Sequence, residues 1–134
     1  MFPAVPIILR ATIAAGVMKV LSDVYKNRDM GLLSGTQWRV VSKNKADIGQ
    51  VIRFNDGDIS GFGGVNDFFG QYTQDEGKLT IGALASTRKS GPHMKAEAKL
   101  LAALQSARRF KGTPSEIKIY GEDDDVLLIL TRKN

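Results

Sequence analysis

A chain of 134 residues is long enough for one domain with a sizeable core, and 43% apolar with 25% charged residues is an ordinary globular balance that excludes a disordered chain. The absence of cysteine excludes a disulfide, a thiolate nucleophile and a cysteine metal site, and no lipid anchor built on cysteine is expected; a single histidine, His93, leaves little for a His-rich metal site or a Ser-His-Asp triad. The net charge of +5 is uneven, because seven Lys and Arg between Arg88 and Lys111 stand against Glu97 alone, a local net of +6. That stretch could meet an anionic lipid surface, nucleic acid or an acidic protein, although a solvated helix face explains it more simply.

Residues 1–29 read as a separate amphipathic helix. Pro3 and Pro6 suit its start, Ile7, Ala14, Val17, Leu21 and Val24 share one face, and Thr12, Lys19, Ser22, Asp23 and Lys26 gather opposite. Arg10 and Lys19 interrupt the apolar run, which counts against both a cleaved secretory signal and a membrane span. A helix docked on the domain, on another chain or on a membrane surface fits best, with the signal and anchor readings left open. Residues 30–36 look like a linker, and 37–134 form the main domain.

Trp38–Ser42 and Asp47–Phe54 read as the first two strands, the second alternating Ile48, Gln50, Ile52 and Phe54 against Gly49, Val51 and Arg53. Asn55-Asp56-Gly57-Asp58 is a tight-turn signal, since these residues tolerate positive φ, and Ile59–Gly63 returns as a third strand. Val65–Phe69 is expected to be a tight corner or one helical turn. Gln71–Gln74 and Lys78–Ile81 make a further hairpin. A second helix is expected from Met94 to about Phe110, burying Glu97, Leu100, Leu101, Leu104 and Ala107; Glu116–Tyr120 and Val126–Thr131 close the chain as a hairpin. Strands on either side of one helix indicate an α+β fold, an antiparallel sheet packed on that helix.

The densest segment is Ile59–Thr73, where Gly61, Gly63, Gly64 and Gly70 alternate with Phe62, Phe68, Phe69 and Tyr72. Glycine there marks points where the backbone bends or crowds a neighbour, with aromatic rings filling the space. Gly61-Phe62-Gly63-Gly64-Val65-Asn66, then Gly70-Gln71-Tyr72, then Ala85-Ser86-Thr87-Arg88, then Met94 with Glu97, resemble in order and spacing the signature of bacterial META-domain (HslJ-like) proteins. The resemblance covers residues 34 to 132 and implies a strongly curved sheet, a half-open barrel with the helix across it. It also implies a stress-related or envelope-associated bacterial protein, tied to heat shock and antibiotic tolerance, with no enzymatic activity and no cofactor. An envelope location follows from the resemblance, with the cytoplasm as the alternative. Many members carry cysteines where this chain has Val65 and Gly91, so whatever those cysteines do is absent here, and an export inference is weakened.

The candidate binding or structural residues are Asn66, Tyr72, Thr87, Arg88 and Glu97. Asn66, behind two glycines, either contacts a ligand or caps a turn. Arg88 and Glu97 are expected to form a partly buried ion pair, and they are the only pair worth inspecting for catalysis. Glu122, Asp123, Asp124 and Asp125 are too short and unspaced a run for an EF-hand loop and read as a solvated turn. The first functional expectation is a peptide, lipid or protein partner held in the concave face of the sheet near Trp38, Phe54, Phe62, Phe69 and Tyr72, unless those aromatics are simply core. The alternative is a peripheral binder of anionic membrane or nucleic acid acting through the basic helix, without sequence-specific nucleic-acid reading.

Overall fold

The computed structural model describes residues 32–41 and 48–133; the expected helix over 1–29 and the first residues of the linker lie outside the described residues. In chain order the described residues form β1 (Thr36–Val40), β2 (Val51–Asn55), β3 (Asp58–Phe62), β4 (Asp67–Asp75), β5 (Lys78–Ile81), β6 (Ala85–Ser86), α1 (Met94–Gln105), β7 (Arg109–Gly112), β8 (Glu116–Tyr120) and β9 (Val126–Arg132). The strands are joined in the order β3-β2-β1-β9-β8-β7-β5-β4-β6, every pairing is antiparallel, and β4 returns to pair with β3. Eight strands therefore make a closed circuit, with β6 hanging on β4. An open gap between edge strands was the expectation; the circuit has instead a thin seam. At β5–β7 only Lys78 and Arg109 are in register, supported by backbone bonds from Leu79 N–H to the Arg108 carbonyl and from Phe110 N–H to the Gly77 carbonyl, each 2.9 Å.

Period-2 alternation explains what the circuit encloses. Trp38, Ile52, Phe54, Ile59, Phe68, Tyr72, Leu79, Ile81, Phe110, Ile117, Ile119 and Leu130 are buried and meet Leu100 and Leu104 of α1 in one core. Each large apolar side chain so placed contributes about 1.5–3 kcal/mol relative to exposure. Phe54 and Tyr72 pack edge to face at 4.9 Å. The one buried indole is satisfied: Trp38 Nε1 donates to Thr36 Oγ1 at 2.7 Å, and that hydroxyl donates to the Leu33 carbonyl at 2.6 Å.

Local turn chemistry behaves as the residues demand. Asn55 pairs with Asp58 across a two-residue loop in which Asp56 (φ 51) and Gly57 (φ 86) both take positive φ, and between Asp75 and Lys78 the two-residue loop again opens on a positive-φ residue, Glu76 (φ 55).

Strand ends shift by several residues, the first strand running Thr36–Val40 and the second starting at Val51, and two elements differ more deeply from the sequence reading. The expected corner over Val65–Phe69 is confined to residues 63–66, because Asp67 already pairs with Phe62 and the ladder to β3 satisfies the backbone at once. The helix stops at Gln105 rather than near Phe110, and Arg109–Gly112 becomes a strand. There, alternation puts Phe110 inside and Lys111 outside, while pairing to Tyr120, Ile119, Lys118 and Ile117 outweighs helix propensity. Ala107 is buried as expected, but beyond the helix end.

Candidate functional site

Where β3 ends, the chain reverses through Gly63 and Gly64 and delivers Asn66 into the interior beside the first turns of α1. Gly63 is required by space: a Cβ there would lie 2.6 Å from Glu97 Cγ. Gly64 is required by conformation, with φ +123. The close approach lets Glu97, only 4% exposed, reach the backbone of the reversal. Glu97 Oε1 accepts the Val65 N–H at 3.0 Å and the Asn66 N–H at 2.5 Å, while Oε2 accepts Asn66 Nδ2 at 2.8 Å. Asn66 passes the connection on. Its Oδ1 accepts the Thr87 hydroxyl at 2.8 Å and the Lys89 N–H at 2.7 Å, and its Nδ2 also donates to the Lys89 carbonyl at 3.1 Å. Three separated pieces of chain are thereby tied together by one amide and one carboxylate.

Burial pushes the Glu97 carboxyl up, but the bonds from the Asn66 amide, the Asn66 N–H and the Val65 N–H together outweigh it and hold the group below its ordinary value of 4.5. A depressed folded value means that Glu97 stabilises the fold fully above 4.5 and that this contribution is lost as pH falls through the folded value. Urea midpoints measured across the acid range should therefore drop below the ordinary carboxylate value, and a Glu97→Gln chain should show a shallower acid limb. An unchanged acid limb in that variant would place the acid sensitivity elsewhere.

Of the residues singled out from the sequence, Asn66, Thr87 and Glu97 meet in this network. Tyr72 does not: it is buried in the core against Phe54, and its N–H bonds the Gly57 carbonyl. The expected Arg88–Glu97 ion pair is not formed. Arg88 is exposed, both Glu97 oxygens are taken by N–H donors, and the ion pair found among the described residues is Arg109–Asp124 at the β8–β9 turn. Both partners there are exposed, so that pair contributes little. The sequence reading missed Gln50, whose Nε2 donates to the carbonyls of Gly63 at 2.9 Å and Ala96 at 3.2 Å. Its signal was a lone polar residue in the apolar register of the second strand. Val65 and Gly91 lie side by side, a Cβ on Gly91 falling 3.1 Å from both Val65 methyls.

Above the network lies an open groove of about 620 Å³ between the 84–90 segment and α1. Leu84, Met94, Ala98 and Leu101 supply its apolar lining, Arg88 and Lys89 its charge, and Asn66 and Glu97 lie at its base. Among the described residues, Trp38, Phe54, Phe68 and Phe110 are buried in the concave interior; Phe62 is half-buried, and Phe69, at 54% exposed, faces outward.

An antiparallel sheet with, among the described residues, one helix, in a single domain, defines the class. The META domain family profile matches residues 32–134, and the chain belongs to that family. Two solved structures share the fold over most of their length. A protein from Burkholderia xenovorans, determined by NMR, aligns with a TM-score of 0.62 at 19% identity, covering 100% of this chain and 98% of its own. A DUF4847 family protein from Bacteroides vulgatus aligns with a TM-score of 0.61 at 15% identity, covering 77% of this chain and 95% of its own. No curated protein matches the chain.

Proposed function

We propose that this META-domain chain is a non-enzymatic binding module that takes an extended protein segment in the groove between β6 and α1. The observation that carries the reading is a strand edge, unpaired among the described residues, beside an apolar slot. β6 ends the strand order, and Ser86 pairs with Phe68 of β4 between the Phe69–Ala85 pair and the Thr87 N–H bond to the Asp67 carbonyl. Alternation in an antiparallel ladder then turns the N–H and C=O of Ser86 away from β4, where an added strand would meet them. Leu84, Met94, Ala98 and Leu101 offer the pocket that one side chain of such a strand needs. Glu97 gives no support to catalysis, because its oxygens are engaged by backbone and amide donors.

A phage-displayed library of extended peptides, selected on the full chain, tests this. Selected peptides should shift the amide resonances of residues 84–90 and Met94–Leu101, and Ala98→Trp, which fills the slot from an exposed helix position, should weaken them about tenfold or more. Shifts confined to another face, or undiminished binding to the filled groove, would remove the reading.

A further inference from the structure

Resting on the groove reading, we infer that the segment it accepts is acidic, with carboxylates alternating with apolar residues along an extended strand. Arg88 and Lys89 line the groove, while Lys95 and Lys99, about 100° round α1 from Met94 and Ala98, lie outside its lining on the solvent side of the helix. All four are exposed, and none has a carboxylate within 4.0 Å among the described residues. Glu97 is the acidic residue of the lining, and it does not answer them: it is buried at the base, its oxygens turned to the N–H groups of Val65 and Asn66. Among the described residues, the groove thus presents uncompensated positive charge along its 84–90 wall and apolar surface beside it.

An extended strand puts successive side chains on opposite sides, so one set can enter the slot while the alternate set meets the walls. Carboxylates in that second set would find Arg88 and Lys89 on the wall formed by the 84–90 segment, which favours encounter and disfavours basic segments. The geometry favours a protein strand over the other polyanions. Nucleic acid would need an aromatic platform for its bases, and among the described residues no aromatic side chain lines the groove. A bilayer would meet charges on a rim but could not enter the slot or pair with the inset edge of β6.

The test uses the full chain and three labelled peptides of one length, alternating Leu with Glu, with Gln and with Lys, read by fluorescence anisotropy and by amide shifts. The Glu peptide should bind, moving Ser86, Met94, Ala98 and Leu101, with the Lys peptide about tenfold or more weaker and the affinity of the Glu peptide falling with salt. In the double variant Arg88→Glu with Lys89→Glu the preference should reverse toward the Lys peptide, a gain that an unfolded chain could not give. Equal binding of the Glu and Gln peptides at the same residues would overturn the acidic assignment and leave the groove reading standing. If no peptide moved the groove residues, both would fall. Salt-sensitive binding to phosphatidylglycerol vesicles, lost in the double variant and unaccompanied by peptide binding, would overturn the assignment in favour of a membrane surface.

Discussion

Gly61→Ala should cost on the order of 4 kcal/mol or more, enough to leave the chain largely unfolded at moderate temperature. Gly61 sits on the inner face of β3, opposite Ile52 on one side and Phe68 on the other. A Cβ added there would lie 2.0 Å from the Val51 carbonyl oxygen and 2.7 Å from Phe68 Cζ. The second contact is with a ring that is itself only 1% exposed and has nowhere to go, and the first is with backbone. Relief requires β2 and β3 to part, at the expense of the ladder joining them. Gly57→Ala is the matched control. Gly57 has φ +86 but no atom within 4 Å of the added Cβ, so it should lose only about 1–2 kcal/mol for the left-handed conformation. Thermal or urea unfolding of the two variants reads the difference directly. A Gly61→Ala chain within about 1 kcal/mol of the parent would mean that the strands give way far more cheaply than packed backbone should.

The second large effect is expected at Asn66→Asp, a near-isosteric change that should destabilise the chain by about 3 kcal/mol or more at neutral pH. Asn66 Nδ2 donates to Glu97 Oε2 at 2.8 Å, whereas Oδ1 is held by the Thr87 hydroxyl and the Lys89 N–H. Flipping the amide would break those two bonds, so the Nδ2 position must be a donor. An aspartate places a second carboxylate oxygen against Glu97 in a buried site without a facing cation. Protonation of either group restores a donor. The variant should therefore recover part of its deficit as pH is lowered, while the parent chain loses stability over the same range. Urea midpoints across the acid range distinguish the cases: a deficit independent of pH would mean that carboxylate repulsion is not its cause. Glu97→Gln should be milder, at about 2 kcal/mol. It removes the charge but leaves one amide donor facing another.

Both effects bear on function because the network supports the groove. Asn66 holds Thr87 and Lys89, which line it, and Glu97 holds Asn66. Destabilising variants at either residue should loosen the 84–90 segment before the sheet itself fails, whereas Ala98→Trp blocks the slot without touching the network.

What the residues alone determined follows from short-range physics. Positive-φ turn residues at Asp56-Gly57 and Glu76, period-2 alternation in β2 and β8, and a 3.6-residue stripe through Glu97, Leu100 and Leu104 act over a few positions, and each was legible. The ordered glycine, Asn66, Thr87 and Glu97 motifs also carried the family. Tertiary structure alone decided the rest. Whether Glu97 would meet Arg88 or Asn66 depended on a glycine reversal bringing residue 66 against residue 97, and local pattern carries no information across such a separation. The same holds for Arg109–Gly112, helical by neighbourhood but a strand because β8 lies beside it and Phe110 fills the core. The groove belongs to this second class: it exists because β6, which has no outer neighbour among the described residues, lies close to α1, and no single segment encodes that juxtaposition.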